Sequence, residues 1–231
     1  MIEKKKKWLK ISICLLILAV IYTVLVKFVD VKAIGPSGTK VGFATMNDWF
    51  KNLIGYNDMF YKISKYAGVI PFGFCAYYGL MGLIELIKNK SLKKVDKNIY
   101  LIGVFYVVVL ILYVLFDKIA INYRPVIIEG ELEPSYPSTH VLLAMCFCLS
   151  GVMMSRFYIK KQAIRNIVNI ASWIMMLFIV IGRLICGCHW FTDIVGGVII
   201  SLALLNIFNA LLLLFEEKEQ NNEDTKKRSK K

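Results

Sequence analysis

Apolar and polar positions segregate along this chain into six long apolar runs separated by charged gaps, at 11–26, 67–87, 99–116, 138–155, 167–182 and 194–215. A helix crosses the hydrocarbon core of a bilayer in about 20 residues, and flanking lysines can snorkel to lengthen a shorter run. The pattern therefore predicts an all-α, polytopic membrane protein with six transmembrane helices, forming one membrane domain over residues 1–215. Between the first two runs, Trp49, Phe50, Leu53, Ile54, Met59, Phe60 and Ile63 recur at helical spacing among lysines and aspartates. One or two short helices lying in the membrane interface are expected over 46–66. The tail 216–231 is charged and poor in apolar residues, which predicts disorder.

Composition agrees with this division. The chain is 58% apolar and 19% charged, against about 45–50% and 25% in soluble domains. Its net charge of +13 would suggest nucleic acid in a soluble protein. Here the basic residues fill the gaps between apolar runs, so they orient the chain in a membrane and no nucleic-acid partner is expected. Twenty of the 29 basic residues fall in four places: the N-terminus to Lys10, 88–97, 156–165 and the tail from Lys218. That distribution predicts cytoplasmic termini, with 27–66, 118–137 and 183–193 on the outer face of the cell membrane. The first run follows Lys4 to Lys7 as a signal peptide would, but no small-residue cleavage site comes after it, so a retained span is expected.

Four of the six cysteines lie inside apolar runs, where a thiol packs as a small hydrophobe. Cys186 and Cys188 precede His189, but no second Cys/His pair completes a zinc site. Glu129, Glu131 and Glu133 alternate in a loop and are expected to be solvated.

The polar residues inside or beside the runs collect at one level. Lys118 and Arg124 follow the third run, His140 opens the fourth, Arg183 closes the fifth, and His189 and Asp193 open the sixth. Both histidines of the chain are among them. His189 and Asp193 are four apart, so on a helix they share a face and can hydrogen-bond. A carboxylate on one imidazole nitrogen fixes the tautomer and leaves the other nitrogen free to attack. Pro137 suits a first helical turn, and Ser135 or Ser138 can cap it. The free N–H groups of that helix end, with three cations and an oriented imidazole, describe a phosphate site.

These residues carry a family resemblance. In the chain, Lys118 is followed by five residues and then Arg124-Pro125; Pro137-Ser138-Thr139-His140 comes next; then Gly182-Arg183, five residues, His189, three residues and Asp193. The sequence resembles the type 2 phosphatidic acid phosphatase superfamily of membrane lipid phosphatases, which shares its site with bacterial acid phosphatases and vanadium haloperoxidases. That family's motifs read Lys, six residues, Arg-Pro; Pro-Ser-Gly-His; and Ser-Arg, five residues, His, three residues, Asp. The chain departs from them by one residue fewer in the first motif, Thr139 for Gly and Gly182 for Ser.

The resemblance implies the superfamily's helical bundle and a metal-independent, cofactor-free phosphatase acting on a lipid phosphate or diphosphate at the outer membrane face. His189 would be the nucleophile, forming a phosphohistidine. Asp193 would orient it, and His140 would act as general acid and then base. Lys118, Arg124, Arg183, Ser138 and Thr139 would bind the phosphoryl oxygens. A lipid phosphotransferase would use the same site with a different acceptor. A transporter or non-catalytic partner would need ionisable groups near the bilayer centre, and within the runs only Glu85 qualifies, near a cytoplasmic end.

Overall fold

The structure is a computed structural model that describes residues 2–228, with side chains over 7–216. Eight α-helices follow in order: α1 Ile2–Phe28, α2 Ala44–Ile54, α3 Asp58–Ala67, α4 Phe72–Asn89, α5 Lys97–Lys118, α6 Thr139–Tyr158, α7 Gln162–Ile185 and α8 Phe191–Arg228. Six stretches are long and apolar enough to cross a membrane: Lys7–Phe28, Asp58–Asn89, Lys97–Lys118, Thr139–Tyr158, Gln162–Ile185 and Phe191–Glu216. Each overlaps one of the six apolar runs, and the second starts earlier, at Asp58, taking in α3. The chain is a multi-pass, all-helical membrane protein.

Helix α6 is the hub. Every residue from Val141 to Gly151 is buried, because α5, α7, α8 and part of α4 surround it. Its neighbours each bury one stripe and turn another outward: Ile167, Ile170, Ile174 and Ile181 of α7 are exposed, which suits a face meant for lipid. Helix α1 packs along α8, and its end meets the start of α8, where the Tyr22 hydroxyl donates to the Thr192 carbonyl at 3.2 Å. Local capping sets several boundaries. Asp96 accepts from the amide of Asn98 at 2.7 Å at the head of α5, and Asn57 accepts from Phe60 at 3.0 Å at the head of α3.

The segment expected to hold one or two interfacial helices contains α2 and α3, separated from α4 by a turn ending at Pro71. Both are seated on the bundle. Buried Asn47 of α2 donates to Thr192 Oγ1 at 2.9 Å and accepts from the Thr192 amide at 3.2 Å. Tyr61 and Ser64 of α3 are buried against α7, while Trp49, Leu53 and Met59 stay exposed.

Helix α8 runs to Arg228, since a preceding helix removes the nucleation cost and Glu, Lys and Gln propagate it well. Residues 229–231 lie outside the described part.

Candidate active site

The starts of α6 and α8, the end of α7 and the loops before them meet at one end of the bundle. Helix α6 begins at Thr139 with Ser138 as N-cap, so Pro137 stands before the helix rather than in its first turn. Neither serine caps in the expected way. Ser138 makes no side-chain cap bond, and its amide donates to the Asp193 carbonyl at 2.9 Å. Ser135 turns to the histidine instead.

His189 sits in the short loop between α7 and α8 and is only 6% exposed. Its Nδ1 lies 2.9 Å from Ser135 Oγ, and its Nε2 is 3.1 Å from Arg183 Nη2. Arginine has donors only, so Nε2 must accept and Nδ1 must carry the proton. Nδ1–H then donates to Ser135 Oγ, whose own proton goes to Asp193 Oδ2 at 2.5 Å. The direct His189–Asp193 contact expected from their spacing is 4.0 Å long. The carboxylate therefore orients the ring through a serine, because it is also drawn to the Trp190 amide at 3.0 Å and Asn122 Nδ2 at 3.4 Å. Burial, then the positive charges of Arg183 and Arg124, push the His189 pKa well below the usual imidazole value. His189 is thus a neutral imidazole with its free lone pair directed at a guanidinium.

Arg124 and His140 line an adjoining cavity of about 400 Å³, together with Thr139, Ser135 and, from the outer helix α3, Tyr61 and Lys65. Arg183 lies behind the lining residue Tyr61, its guanidinium 5.3 Å from that ring's centre. Arg124 is held by Glu133 at 2.8 Å, so this glutamate is paired rather than simply solvated. Several buried polar atoms here have no partner: Nε and Nη1 of both Arg124 and Arg183, Ser138 Oγ and His140 Nδ1. Buried donors of this kind are costly to leave unmade, and an oxyanion would satisfy them.

Of the residues singled out by motif, His140, His189, Asp193, Arg124, Arg183, Ser138 and Thr139 gather in this region. Lys118 does not. It is exposed at the end of α5, and the α5 residues lining the cavity are Tyr113, Phe116 and Asp117. Sequence reasoning missed Asn122, Tyr61 and Lys65, and it read Ser135 only as a possible cap. The Pro-Ser repeat at 134–135 and 137–138 was the available signal for Ser135. Nothing in the sequence marked Asn122.

Cys186 and Cys188 are buried free thiols with sulfurs 3.0 Å apart. The contact with Cys188, and then the Arg183 charge, hold the Cys186 thiol below its usual pKa, while burial pushes that of Cys188 up. Gly187 between them adopts φ +66°, and a Cβ there would stand 1.8 Å from the Gly55 carbonyl oxygen. The Asn57 amide donates to the Cys186 carbonyl at 3.0 Å. The loop bearing His189 is thereby docked on the α2–α3 turn through backbone.

No curated protein matches the chain in sequence. Among solved structures it is similar to a transmembrane PAP2-type phosphatidylglycerolphosphate phosphatase from Bacillus subtilis, at 14% identity and a TM-score of 0.54, covering 90% of this chain and 96% of that one. That likeness concerns the fold. The PAP2 superfamily model matches residues 105–215, the stretch that holds all three motifs. Over that region, the chain is similar to the PAP2 superfamily.

Proposed function

We propose that the protein is a membrane lipid phosphatase, hydrolysing a phosphate mono- or diphosphate ester of a lipid at the outer membrane face. The observation that carries this reading is the set of unpartnered buried polar atoms on Arg124, Arg183, Ser138 and His140 beside a neutral, oriented imidazole. Anion recognition and a nucleophile are built into one place.

In this mechanism the phosphoryl group displaces the Arg183–His189 contact and takes the guanidinium for its own oxygens. His189 Nε2 forms a bond to phosphorus as the ester P–O bond breaks. His140 gives a proton to the departing oxygen. The ring, now cationic, is stabilised by Asp193 through Ser135. His140 then takes a proton from water, which attacks phosphorus and frees Nε2. Arg124, Arg183 and the first amides of α6 carry the charge spread over the equatorial oxygens. The cations present do what Mg²⁺ does elsewhere, so no metal or cofactor is needed. Outward orientation rests on the concentration of basic residues at the opposite ends of the spans.

The test is phosphate release by purified protein in detergent from phosphatidate, phosphatidylglycerophosphate and a polyprenyl diphosphate. Turnover of at least one, abolished in His189→Ala, is expected. Inertness toward all three would sink the reading.

A further inference from the structure

The motif's first cation is missing from the place where its resemblance puts it. Tyr113, Phe116 and Asp117 share one face of α5 and line the cavity. One residue along a helix is a rotation of about 100°, so Lys118 leaves that face and is absent from the lining, while Asp117 stands at the exposed rim of the cavity. The shortened spacing to Arg124 thus sets an aspartate where a lysine would serve.

A different lysine reaches the cavity from α3. Tyr61, Ser64, Lys65 and Gly68 form one stripe of that helix at spacings of three, one and three. Tyr61 lies under the Arg183 guanidinium. A Cβ at Gly182 of α7 would stand 3.0 Å from Ser64 Cβ, and one at Gly68 would stand 2.9 Å from the His140 ring. The stripe is therefore fastened beside both ends of the site, and Lys65, which it carries, lines the cavity with Arg124 and His140. Its ammonium is 5.5 Å from the Tyr61 ring centre and 3.7 Å from Glu129 Oε1. With 42% of the side chain exposed, it keeps the freedom to move from Glu129 to an entering anion.

We propose that Lys65 is a substrate-binding residue that replaces Lys118, donating to non-bridging oxygens of the phosphoryl group. The proposal rests on the phosphatase reading for its substrate. The binding geometry itself requires only an oxyanion in the cavity. On arrival of the phosphate, Lys65 exchanges the Glu129 carboxylate for the more highly charged ligand, and α3 becomes one wall of the anion site.

The experiment compares wild type, Lys65→Gln, Lys65→Arg and Lys118→Gln by two readouts. One is KM and kcat on phosphatidate in detergent micelles. The other is orthovanadate binding, followed by thermal shift without turnover. Loss of a charge-assisted hydrogen bond predicts about 10–100-fold weaker vanadate binding and a similarly raised KM for Lys65→Gln. Lys65→Arg should restore most of both, and Lys118→Gln should stay within about 2-fold of wild type. Weakened vanadate binding in Lys118→Gln, or wild-type binding in Lys65→Gln, overturns the assignment. If Lys65→Gln lowers kcat at unchanged vanadate affinity, a direct contact is also ruled out. A wild type that binds vanadate through Lys65 but releases no phosphate from any ester would defeat the phosphatase reading and leave this one standing.

Discussion

His189 Nδ1 and Asp193 Oδ2 lie 4.0 Å apart, and the Ser135 hydroxyl fills the gap with one bond to each. The carboxylate reaches the imidazole through an intermediary that comes from another loop. Ser135→Ala should leave the two groups out of reach while the surrounding fold persists. A hydrogen bond to a charged group contributes about 1.5–3 kcal/mol, so kcat should fall about 10–100-fold, with KM little changed. Single-turnover formation of the phosphoenzyme is the measurement, because the deficit belongs to the step that makes the ring cationic. An unimpaired rate would show that the serine is a spectator.

The two histidines should separate kinetically. His189→Ala removes the bond-forming nitrogen and should abolish turnover of every substrate. His140→Ala loses acid–base help of about 10²–10⁴-fold on a lipid phosphate. On p-nitrophenyl phosphate, whose leaving group needs no proton, it should still give a burst of nitrophenol followed by slow hydrolysis, with label trapped at His189. Equal slowness on both substrates would move His140 to a binding role.

Acid should weaken the fold through His189. Its pKa in the folded protein lies well below the ordinary value, whereas the unfolded chain takes up that proton near about 6.5. The unfolded state therefore binds more protons on the acid side, and stability should decline as pH drops below that value. Thermal denaturation in detergent from pH 7.5 to about pH 5 checks this. The decline should be shallower in His189→Gln, which has no titrating ring.

Chelation and vanadate address the chemistry from the other side. Activity should survive EDTA if guanidinium and ammonium groups carry the phosphoryl charge as proposed, and vanadate should inhibit by taking five-coordinate geometry. An enzyme silenced by EDTA and restored by Mg²⁺ contradicts the mechanism.

How much of this was legible in the sequence depended on distance along the chain. The six spans could be read because lipid demands apolar length, which a linear pattern records directly. The Arg183–His189–Asp193 cluster could be read because its members sit within a few helical turns. Ser135, Asn122, Tyr61 and Lys65 reach the site from other elements, and only the packing of α3 on α7 and of the 119–137 loop on α8 brings them in. Lys118 shows the opposite failure. A motif counted in residues does not record helical phase: with one residue fewer before Arg124, it is Asp117 that borders the cavity and not Lys118, although both are exposed.

The backbone seam between Gly187 and Gly55 has a consequence for how such a protein can change. Support delivered by peptide groups does not depend on which side chains surround it. The His189 loop can hold its position while exposed residues on α2 and α3 are exchanged, provided Gly187 is kept, because a Cβ there would collide with the Gly55 carbonyl. The exposed side chains of α2 and α3, such as Trp49, Leu53 and Met59, and the position of the His189 loop are then separate variables. Selection or design can move the first without retuning the second.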